Sequence, residues 1–362
     1  MQSARFAALG EYVRRQLEVT GIPGVGLGVA REGRLLHGEG YGLRDVGQGL
    51  APDLDTLFFM GAAAKSFTCV AMLRLQEEGR LQVHDPVVRY LPGFRMPDAA
   101  ATAQVTLHHL MTHTSGIPRL ALPPGAADYG AFVDALSGQE YRPSGAPGEQ
   151  FDYTDEGYAL LGAVIEQVSG MPYQEYMARA VLEPLGLTRT FFGPAVPEEN
   201  LAVPYSLRRV EGARVFGALD AAWAPGPYLP AGAGPRSTVR DLLRYLELFR
   251  QDGAPEGRRF LSEESMIYLT AGHALTPTPY AYGGGWFVQP DWHGVTLIDH
   301  GGGFTGSSAH LLFLPETGMT AVALVNRTMA PAENLALGAV WAAMHNAQNL
   351  AEMLLSCADS CN

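Results

Sequence analysis

The sequence predicts an α+β fold in which one antiparallel sheet draws strands from both ends of the chain. Strand patterns lie within residues 25–41 and again after residue 285, and helical patterns fill most of the chain between them. Such a sheet needs helices as cover and leaves the middle of the chain as an insertion. We therefore expect residues 1–60 and 230–362 to form a sheet region and residues 61–229 to form a mostly helical region.

The elements of the first third follow from the spacing of apolar residues. A stripe along one side of the first segment predicts an amphipathic helix; its members are Phe6, Leu9, Val13 and Leu17. Residues 25–30 and 34–41 flank a turn at residues 31–33, which predicts a β-hairpin. A second helix is predicted over residues 62–78.

The rest of the chain changes from helical to strand periodicity. Up to about residue 225 the patterns are helical or loop-like, with the strongest helices over 156–168 and 172–182. A loop rich in proline and glycine covers 222–235, and a capping-box pattern at Thr238 begins a helix over 239–250. The remaining elements are strands over 285–288, 295–298, 309–314 and 320–325, and a closing helix over 335–350.

Composition and charge exclude several classes of function. The chain has 362 residues, of which 47% are hydrophobic and 17% charged, which is typical of a globular protein with a large core. Its formal net charge of −12 repels phosphate backbones and anionic lipids, so we expect no nucleic-acid partner and no membrane partner. No apolar run reaches the length of roughly 18 residues that a spanning helix needs.

The amino terminus and the cysteines bear on the compartment. The first segment lacks an apolar core followed by a small-residue cleavage site, so it resembles a helix of the fold rather than a signal peptide. Three cysteines form no disulfide framework: Cys69 lies in an apolar run, and Cys357 and Cys361 lie at the carboxyl terminus. We expect a cytoplasmic protein, or a periplasmic or secreted one if a leader was removed. The oligomeric state is not defined by the sequence.

Two patterns resemble cofactor or metal sites without meeting their requirements. Residues 301–306 have the spacing G-x-G-x-x-G, but a dinucleotide site needs a helix after it, and residues 308–314 predict a strand. His109 and His113 have the spacing of a metal-binding pair on a helix, but no third ligand is near them in the sequence. We interpret these histidines as packing or capping residues and expect no metal and no cofactor.

Three separated segments carry residues suited to acyl transfer. They are residues 60–68 (MGAAAKSFT), residues 151–158 (FDYTDEGY) and residues 299–303 (DHGGG). Weaker matches accompany them at residues 110–116, 161–162, 184–187 and 282–286. In this order and spacing the chain resembles, over nearly its whole length, the serine β-lactamase and penicillin-binding-protein superfamily. The branch that it resembles contains class C β-lactamases, DD-peptidases, D-aminopeptidases and esterases.

The resemblance implies a β-lactamase/transpeptidase-like fold with its site between the sheet region and the helical region. Lys65 matches the lysine of the family's Ser-x-x-Lys motif, which activates the serine. Tyr153 matches the tyrosine that exchanges a proton with that lysine. The family's third motif lies on an edge strand, and the residue after it supplies one N–H of an oxyanion hole. These positions are matched, in order, by His300, Gly301, Gly302 and Gly303.

The position of the nucleophilic serine is occupied by Ala62. Alanine has no hydroxyl, so this chain cannot form the acyl-enzyme. Two interpretations stay open: a serine deliberately changed to alanine, or a natural pseudoenzyme. Ser66 does not replace the missing serine, because no lysine follows it three positions on. We expect Lys65, Tyr153 and His300 to converge beside residue 62, with Lys65 largely buried.

A second departure from the family is Asp155, where the commonest residue is asparagine. A carboxylate only accepts hydrogen bonds, whereas an amide side chain also donates them. The residue is either a family variation or a recognition element for a substrate amine. We expect its carboxylate to face the same cleft and to contribute to substrate binding.

The sequence therefore predicts a serine acyl-transfer hydrolase in a form inactivated at residue 62. The substrate class stays open among D-amino-acid-like peptides or amides, β-lactams and esters, and peptide-cyclising thioesterases share the same motifs. The alternative is a natural pseudoenzyme that binds a small molecule or a peptide without turnover. Pocket loops decide among these functions, and the motifs do not define those loops or any domain beyond Asn362.

Overall fold

Strands from both ends of the chain pair in one sheet. The structure is a computed structural model that describes residues 2–120, 128–193, 196–197, 199–211, 213–219 and 226–345. The strands described are β1 (Gly24–Arg31), β2 (Arg34–Gly42), β3 (Phe58–Phe59), β4 (Tyr205–Val210), β5 (Ala213–Ala218), β6 (Arg236–Ser237), β7 (Ala274–Leu275), β8 (Ala281–Tyr282), β9 (Phe287–Trp292), β10 (Val295–Phe304), β11 (Ser307–Leu314) and β12 (Met319–Val325). In these residues an eight-stranded sheet has the order β2-β1-β12-β11-β10-β9-β8-β7, and the pairs β3-β6 and β4-β5 lie apart from it.

Helices surround this sheet and fill the middle of the chain. Those described are α1 (Gln2–Thr20), α2 (Lys65–Glu77), α3 (Ala99–Gln104), α4 (Leu107–Met111), α5 (Tyr129–Ser137), α6 (Asp155–Ser169), α7 (Tyr173–Met177), α8 (Glu183–Leu185), α9 (Val239–Arg250), α10 (Glu263–Thr270) and α11 (Ala332–Met344). Short 3-10 turns at Gly61–Ala64 and Gly226–Ala231 also matter for the site. None of the helices described here combines the length and the apolarity needed to cross a bilayer.

The centre of the sheet is buried on both faces. β1 pairs with β12 from Val25 to Arg31, so that a strand from the start of the chain lies beside one from its end. On one face, side chains such as Leu27 form a core with Leu9 of α1 and Leu335 of α11. On the other face, alternate residues such as Leu324 join a core that includes Leu242 of α9. Side chains along a strand alternate between the faces, so both cores draw on the same strands.

This architecture confirms the predicted α+β class and the antiparallel sheet built from both termini. The sheet takes β1 and β2 from the first part of the chain and β7 to β12 from the last part. The predicted hairpin, the helix at α6 and the helix at α9 are present, and Thr238 caps α9 by accepting a hydrogen bond from the Asp241 amide. The division at residues 60/61 and 229/230 stays a prediction.

One expectation for the middle of the chain is wrong. The patterns up to about residue 225 indicate helix or loop, but β4 and β5 form a hairpin there. Along β4, Leu207 shares a face with Arg209 and Val210 shares a face with Arg208, so apolar and polar residues do not separate onto two faces. Without that alternation the period of a half-buried strand is missing from the sequence.

The carboxyl-terminal elements differ from the prediction in their bounds. The strand predicted over 295–298 continues to Phe304, because Gly301–Gly303 pair with β11 although glycine disfavours strands. The strand predicted over 285–288 begins only at Phe287. The end of the predicted closing helix lies outside the described residues, as do Cys357 and Cys361.

Two glycines let β10 approach the turn that precedes α2. A Cβ on Gly302 would lie 1.9 Å from the Met60 carbonyl oxygen, a distance that a real side chain cannot occupy. Gly61 has φ of 53°, and a Cβ there would lie 2.6 Å from the Gly303 nitrogen. The contact between β10 and the turn that precedes α2 is therefore backbone against backbone at this point.

Substitution of two adjacent glycines tests this close approach. We expect Gly302→Ala to lower the free energy of unfolding by about 1–3 kcal/mol, because the new methyl group must displace the Met60 carbonyl. Gly303→Ala is the matched control, since a Cβ on Gly303 meets nothing within 4 Å. Urea unfolding of both variants measures the difference. Equal stability of the two would contradict this packing.

Candidate active site

Residue 62 lies in the turn that leads into α2. Ala62 is half-buried, whereas its neighbours Gly61 and Ala63 are buried, so its side chain is the accessible one of this turn. The Lys65 amide donates to the Ala62 carbonyl, which makes the two residues neighbours across one turn. The next hydroxyl along the chain, on Ser66, is buried and donates to the Ala63 carbonyl. Ser66 is therefore not available as a substitute nucleophile.

Lys65 is completely buried, as the sequence predicts. Its ammonium donates to Asp155 Oδ1 at 2.7 Å and to the Ala231 carbonyl at 2.9 Å. The same nitrogen lies 4.6 Å from the ring centre of Tyr153 and 5.3 Å from that of Tyr158. A buried cation needs a carboxylate and further acceptors of this kind to offset its lost hydration.

The electrostatics of this pair favour a charged lysine. Burial disfavours the ammonium, but Tyr153 and the Asp155 carboxylate outweigh it, so the pKa of Lys65 lies above its ordinary value. Burial raises the pKa of the Tyr153 phenol, and the Lys65 ammonium opposes that rise. The described arrangement therefore holds a cationic lysine beside a neutral tyrosine.

Tyr153 is held in place by a histidine from another segment. His113 adopts φ of 57°, and its ring centre lies 4.1 Å from that of Tyr153. Its Nδ1 accepts a hydrogen bond from the Thr154 amide at 3.2 Å, and its carbonyl accepts from the Asp152 amide at 2.7 Å. These bonds fix the backbone on both sides of the tyrosine, so His113 positions Tyr153 next to Lys65.

The histidines considered as metal ligands have structural partners instead. The His109 side chain accepts from the Thr106 amide and completes a capping box at the start of α4. His113 packs against aromatic rings of the site. Across the residues with described coordinates, no group of three or more potential ligands is arranged to hold a metal ion.

Asp155 is the first residue of α6 and interacts with two cations. Its Oδ1 accepts from Lys65, and its Oδ2 lies 3.6 Å from the exposed guanidinium of Arg119. The side chain keeps 37% of its surface exposed, so one face of the carboxylate is open to solvent. The sequence suggests no ion pair between Asp155 and Lys65. Its contribution to substrate binding stays a prediction.

His300 lies on β10 and is buried as a neutral imidazole. Burial, and then the Lys65 ammonium, lower the pKa of His300 to about 3. Its Nδ1 lies 2.5 Å from the Gly301 carbonyl, so Nδ1 carries the proton and donates. Its Nε2 lies 3.1 Å from the Tyr282 hydroxyl and accepts from it. The ring centre lies 6.2 Å from that of Tyr153, which brings the third segment into the same site.

The glycines after His300 leave one side of β10 unpaired. In the described residues β10 pairs with β9 from Val295 to Asp299 only, whereas Gly301–Phe304 pair with β11 alone. Gly303 is exposed, and the preceding glycine packs on the turn that contains Ala62. An unpaired strand edge offers N–H and C=O groups to a ligand.

The structure brings the sequence-predicted residues together. Lys65, Tyr153 and Asp155 are in contact, His300 stands beside Tyr153, and the glycines of β10 pack against the turn at residue 62. Sequence reasoning missed the supporting residues of this site. They are His113, Tyr282, Arg119 and Ala231. The first two lie in the weaker matching segments, whereas no pattern marks Arg119 or Ala231.

A count of basic residues is a further signal for this site. Of the 25 lysine and arginine residues, 24 are arginine, and Lys65 is the single lysine of the chain. Arginine would satisfy an ion pair equally well, but its guanidinium does not release a proton in proteins. The one amine among the basic side chains of this chain is therefore the buried group that contacts Tyr153 and Asp155.

Comparison with known proteins agrees with these observations. A model of the Beta-lactamase family matches residues 9–343. Penicillin-binding protein 4 of Amycolatopsis lactamdurans is 32% identical over 327 residues, which cover 85% of this chain and 82% of that protein. Protein flp of Staphylococcus aureus (strain N315) is 27% identical and is covered over 62% of its length, so the chain spans less than two thirds of this relative.

Two solved structures share the architecture. The octameric penicillin-binding protein homologue from Pyrococcus abyssi is 28% identical, with a TM-score of 0.81 over 92% of this chain and 76% of that one. EstCE1, a hydrolase with promiscuous acyltransferase activity, has a TM-score of 0.75 over 91% of this chain and 95% of its own, at 22% identity. The latter likeness concerns the fold alone. The family match, the sheet and the order of the motifs establish that this chain belongs to the Beta-lactamase family.

Proposed function

We propose that this chain carries the site of a serine acyl-transfer hydrolase in which Ala62 occupies the position of the nucleophile. The family is generally one of serine hydrolases, and the finer assignment rests on one observation. The only lysine of the chain is fully buried one turn after Ala62, in contact with Tyr153 and Asp155. A titratable amine in this position is what a serine hydroxyl needs for activation.

With a serine at position 62, the reaction proceeds in two steps. The hydroxyl proton passes to the Lys65 and Tyr153 pair while the serine oxygen bonds to the substrate carbonyl carbon. The N–H groups of residue 62 and Gly303 stabilise the oxyanion. The bond to the leaving group then breaks, and the leaving group takes the proton from Tyr153. Water adds to the acyl-enzyme in the second step and releases the acid and the serine.

The chain with alanine at position 62 binds substrate without this chemistry. It lacks the oxygen atom that forms the covalent bond, while Lys65, Tyr153 and the glycine edge of β10 keep their packing. A natural pseudoenzyme that binds a peptide or a small molecule is therefore the second candidate function, and Ala62 is the observation that favours it. An enzyme whose serine was changed to alanine would have this same structure.

We propose peptides or amides of the D-amino-acid type as the substrate class. The 32% identity to a penicillin-binding protein supports this class and also supports recognition of β-lactams. The unpaired edge of β10 suits an extended peptide, which can hydrogen-bond to it as an added strand. A carboxylesterase or a peptide-cyclising thioesterase would use the same groups. Because EstCE1, a hydrolase with promiscuous acyltransferase activity, shares the fold, an ester is included among the test substrates.

Restoring the nucleophile tests the proposed function directly. We expect Ala62→Ser to hydrolyse at least one of three substrates: a D-aminoacyl-p-nitroanilide, a chromogenic β-lactam or a p-nitrophenyl ester. Loss of the nucleophile in a comparable serine hydrolase costs on the order of 10^6 in kcat, and the gain here has that upper bound. Initial rates over a range of pH give the measurement.

The matched control moves the same hydroxyl by one residue. Ala63→Ser introduces serine at the adjacent position, which is buried where Ala62 is half-buried. We expect this variant to stay inactive with all three substrates. Inactivity of Ala62→Ser towards every substrate, in a folded protein, would leave the binding protein as the function.

The need for an amine can be tested in the serine form. We expect Lys65→Arg, made together with Ala62→Ser, to lower kcat by about 10²–10⁴-fold, because a guanidinium cannot accept the serine proton. The reverse exchange at an exposed position, Arg14→Lys, is the control and should leave kcat unchanged. Activity retained in the Lys65→Arg form would contradict the role of Lys65 as the base.

A further inference from the structure

The hydrogen bonds of Lys65 define which proton it can exchange. An ammonium has three N–H groups in tetrahedral directions. Two of them donate to Asp155 Oδ1 at 2.7 Å and to the Ala231 carbonyl at 2.9 Å. The third N–H is therefore left on the side of the nitrogen that faces Tyr153, whose ring centre is 4.6 Å away. The amine can accept a proton there only after it has lost one.

The partner at Oδ1 decides how readily that proton is lost. A neutral amide at position 155 would hold the nitrogen by a hydrogen bond in either protonation state, whereas a carboxylate also adds a charge that favours the ammonium. At 2.7 Å from a completely buried nitrogen, this charge is poorly screened by solvent. The geometry therefore couples the protonation of Lys65 to Asp155.

We propose that Asp155 is a positioning residue that keeps Lys65 in its ammonium form at neutral pH, so that acyl transfer at position 62 becomes efficient only in alkaline solution. This inference rests on the proposed function and names its regulation. It differs from the interpretation of Asp155 as a ligand for a substrate amine, because the effect acts through Lys65 whatever the substrate is. Asp155 then controls pH dependence rather than substrate choice.

Of the titratable groups around Lys65, Tyr153 and Asp155 favour the ammonium, and Asp155 is the carboxylate of the two. The described groups that face it are Asp155, Tyr153, Tyr158, Cys69, His113 and His300. Burial lowers the pKa of both histidines and raises the pKa of Cys69 and of both tyrosines, so all five are neutral around pH 7. Asp155 is the carboxylate among them, and its removal leaves the amine without a counter-ion.

Arg119 opposes the effect of Asp155 from the solvent side. Its guanidinium lies 3.6 Å from Asp155 Oδ2 and is largely exposed. The positive charge of Arg119 offsets part of the electrostatic stabilisation that the Asp155 carboxylate gives to the Lys65 ammonium. Removal of this cation should therefore stabilise the ammonium further and raise the pKa of Lys65. This gives a variant whose effect on the pKa of Lys65 is predicted to be opposite to that of Asp155→Asn.

The single lysine makes the protonation state directly measurable. Lysine labelled with carbon-13 at Cε yields one side-chain signal in this chain, and its chemical shift follows the charge on Lys65. We expect Asp155→Asn to lower the pKa of Lys65 by about 1 or more, and Arg119→Gln to raise it. Asp152→Asn is the matched control, a carboxylate three positions earlier whose side chain makes no ion pair within the described residues. An Asp155→Asn titration that coincides with that of the unchanged chain would overturn the proposal.

A second measurement uses the Ala62→Ser form. We expect its kcat to rise with pH up to the pKa of Lys65, because only the neutral amine accepts the serine proton. Adding Asp155→Asn should move this rise to lower pH, and kcat at pH 7 should increase about tenfold for each pH unit by which the rise moves. An unmoved profile, or a change in KM for amine-bearing substrates alone, would overturn the proposal.

The two proposals fail in different ways. The titration of Lys65 uses the chain with Ala62 and needs no activity. If Ala62→Ser is inactive but Asp155→Asn lowers the pKa of Lys65, the proposed function fails and the coupling stands. If Ala62→Ser is active with a pH profile that ignores Asp155, the function stands and the coupling fails.

Discussion

The buried ammonium of Lys65 is the constraint on which the site depends. An amine with no solvent contact needs a counter-ion and further acceptors, and two separate segments supply them. The start of α6 provides Asp155, the turn at residues 226–231 provides the Ala231 carbonyl, and α2 provides the lysine itself. These contacts bring the turn at residue 62, the loop around Tyr153 and the region that precedes β6 into one arrangement.

A second constraint is the close packing between β10 and the turn before α2. The glycines of β10 let its backbone approach that of residues 60–63, and Gly303, which takes part in this contact, is still exposed. The neutral ring of His300, on the same strand, is held between the Tyr282 hydroxyl and the Gly301 carbonyl by hydrogen bonds. The strand edge, the turn and the lysine are thus held by packing among the described residues, which is the preorganisation that the proposed acyl transfer requires.

The sequence predicts those parts of this architecture that have a strong local pattern. The hairpin of β1 and β2 and helices α6 and α9 follow from periodicity and capping. The convergence of Lys65, Tyr153 and His300 is what the resemblance to the serine β-lactamase and penicillin-binding-protein superfamily implies. The sequence does not predict that β10 continues through its glycines, because glycine disfavours strands. It also does not predict the pairing of β4 with β5, because arginines interrupt the alternation of apolar and polar residues there. The ion pair of Asp155 with Lys65 joins residues 90 positions apart and has no local signal.

We propose that residue 62 stands where an attacking oxygen would be activated. The most direct measurement is intact-protein mass spectrometry of the Ala62→Ser form after exposure to a fluorophosphonate, followed by peptide mapping. We expect one adduct, located on the introduced serine and absent from the unchanged chain and from the Ala63→Ser form. No adduct, or an adduct on Ser66 or Tyr153 instead, would contradict it.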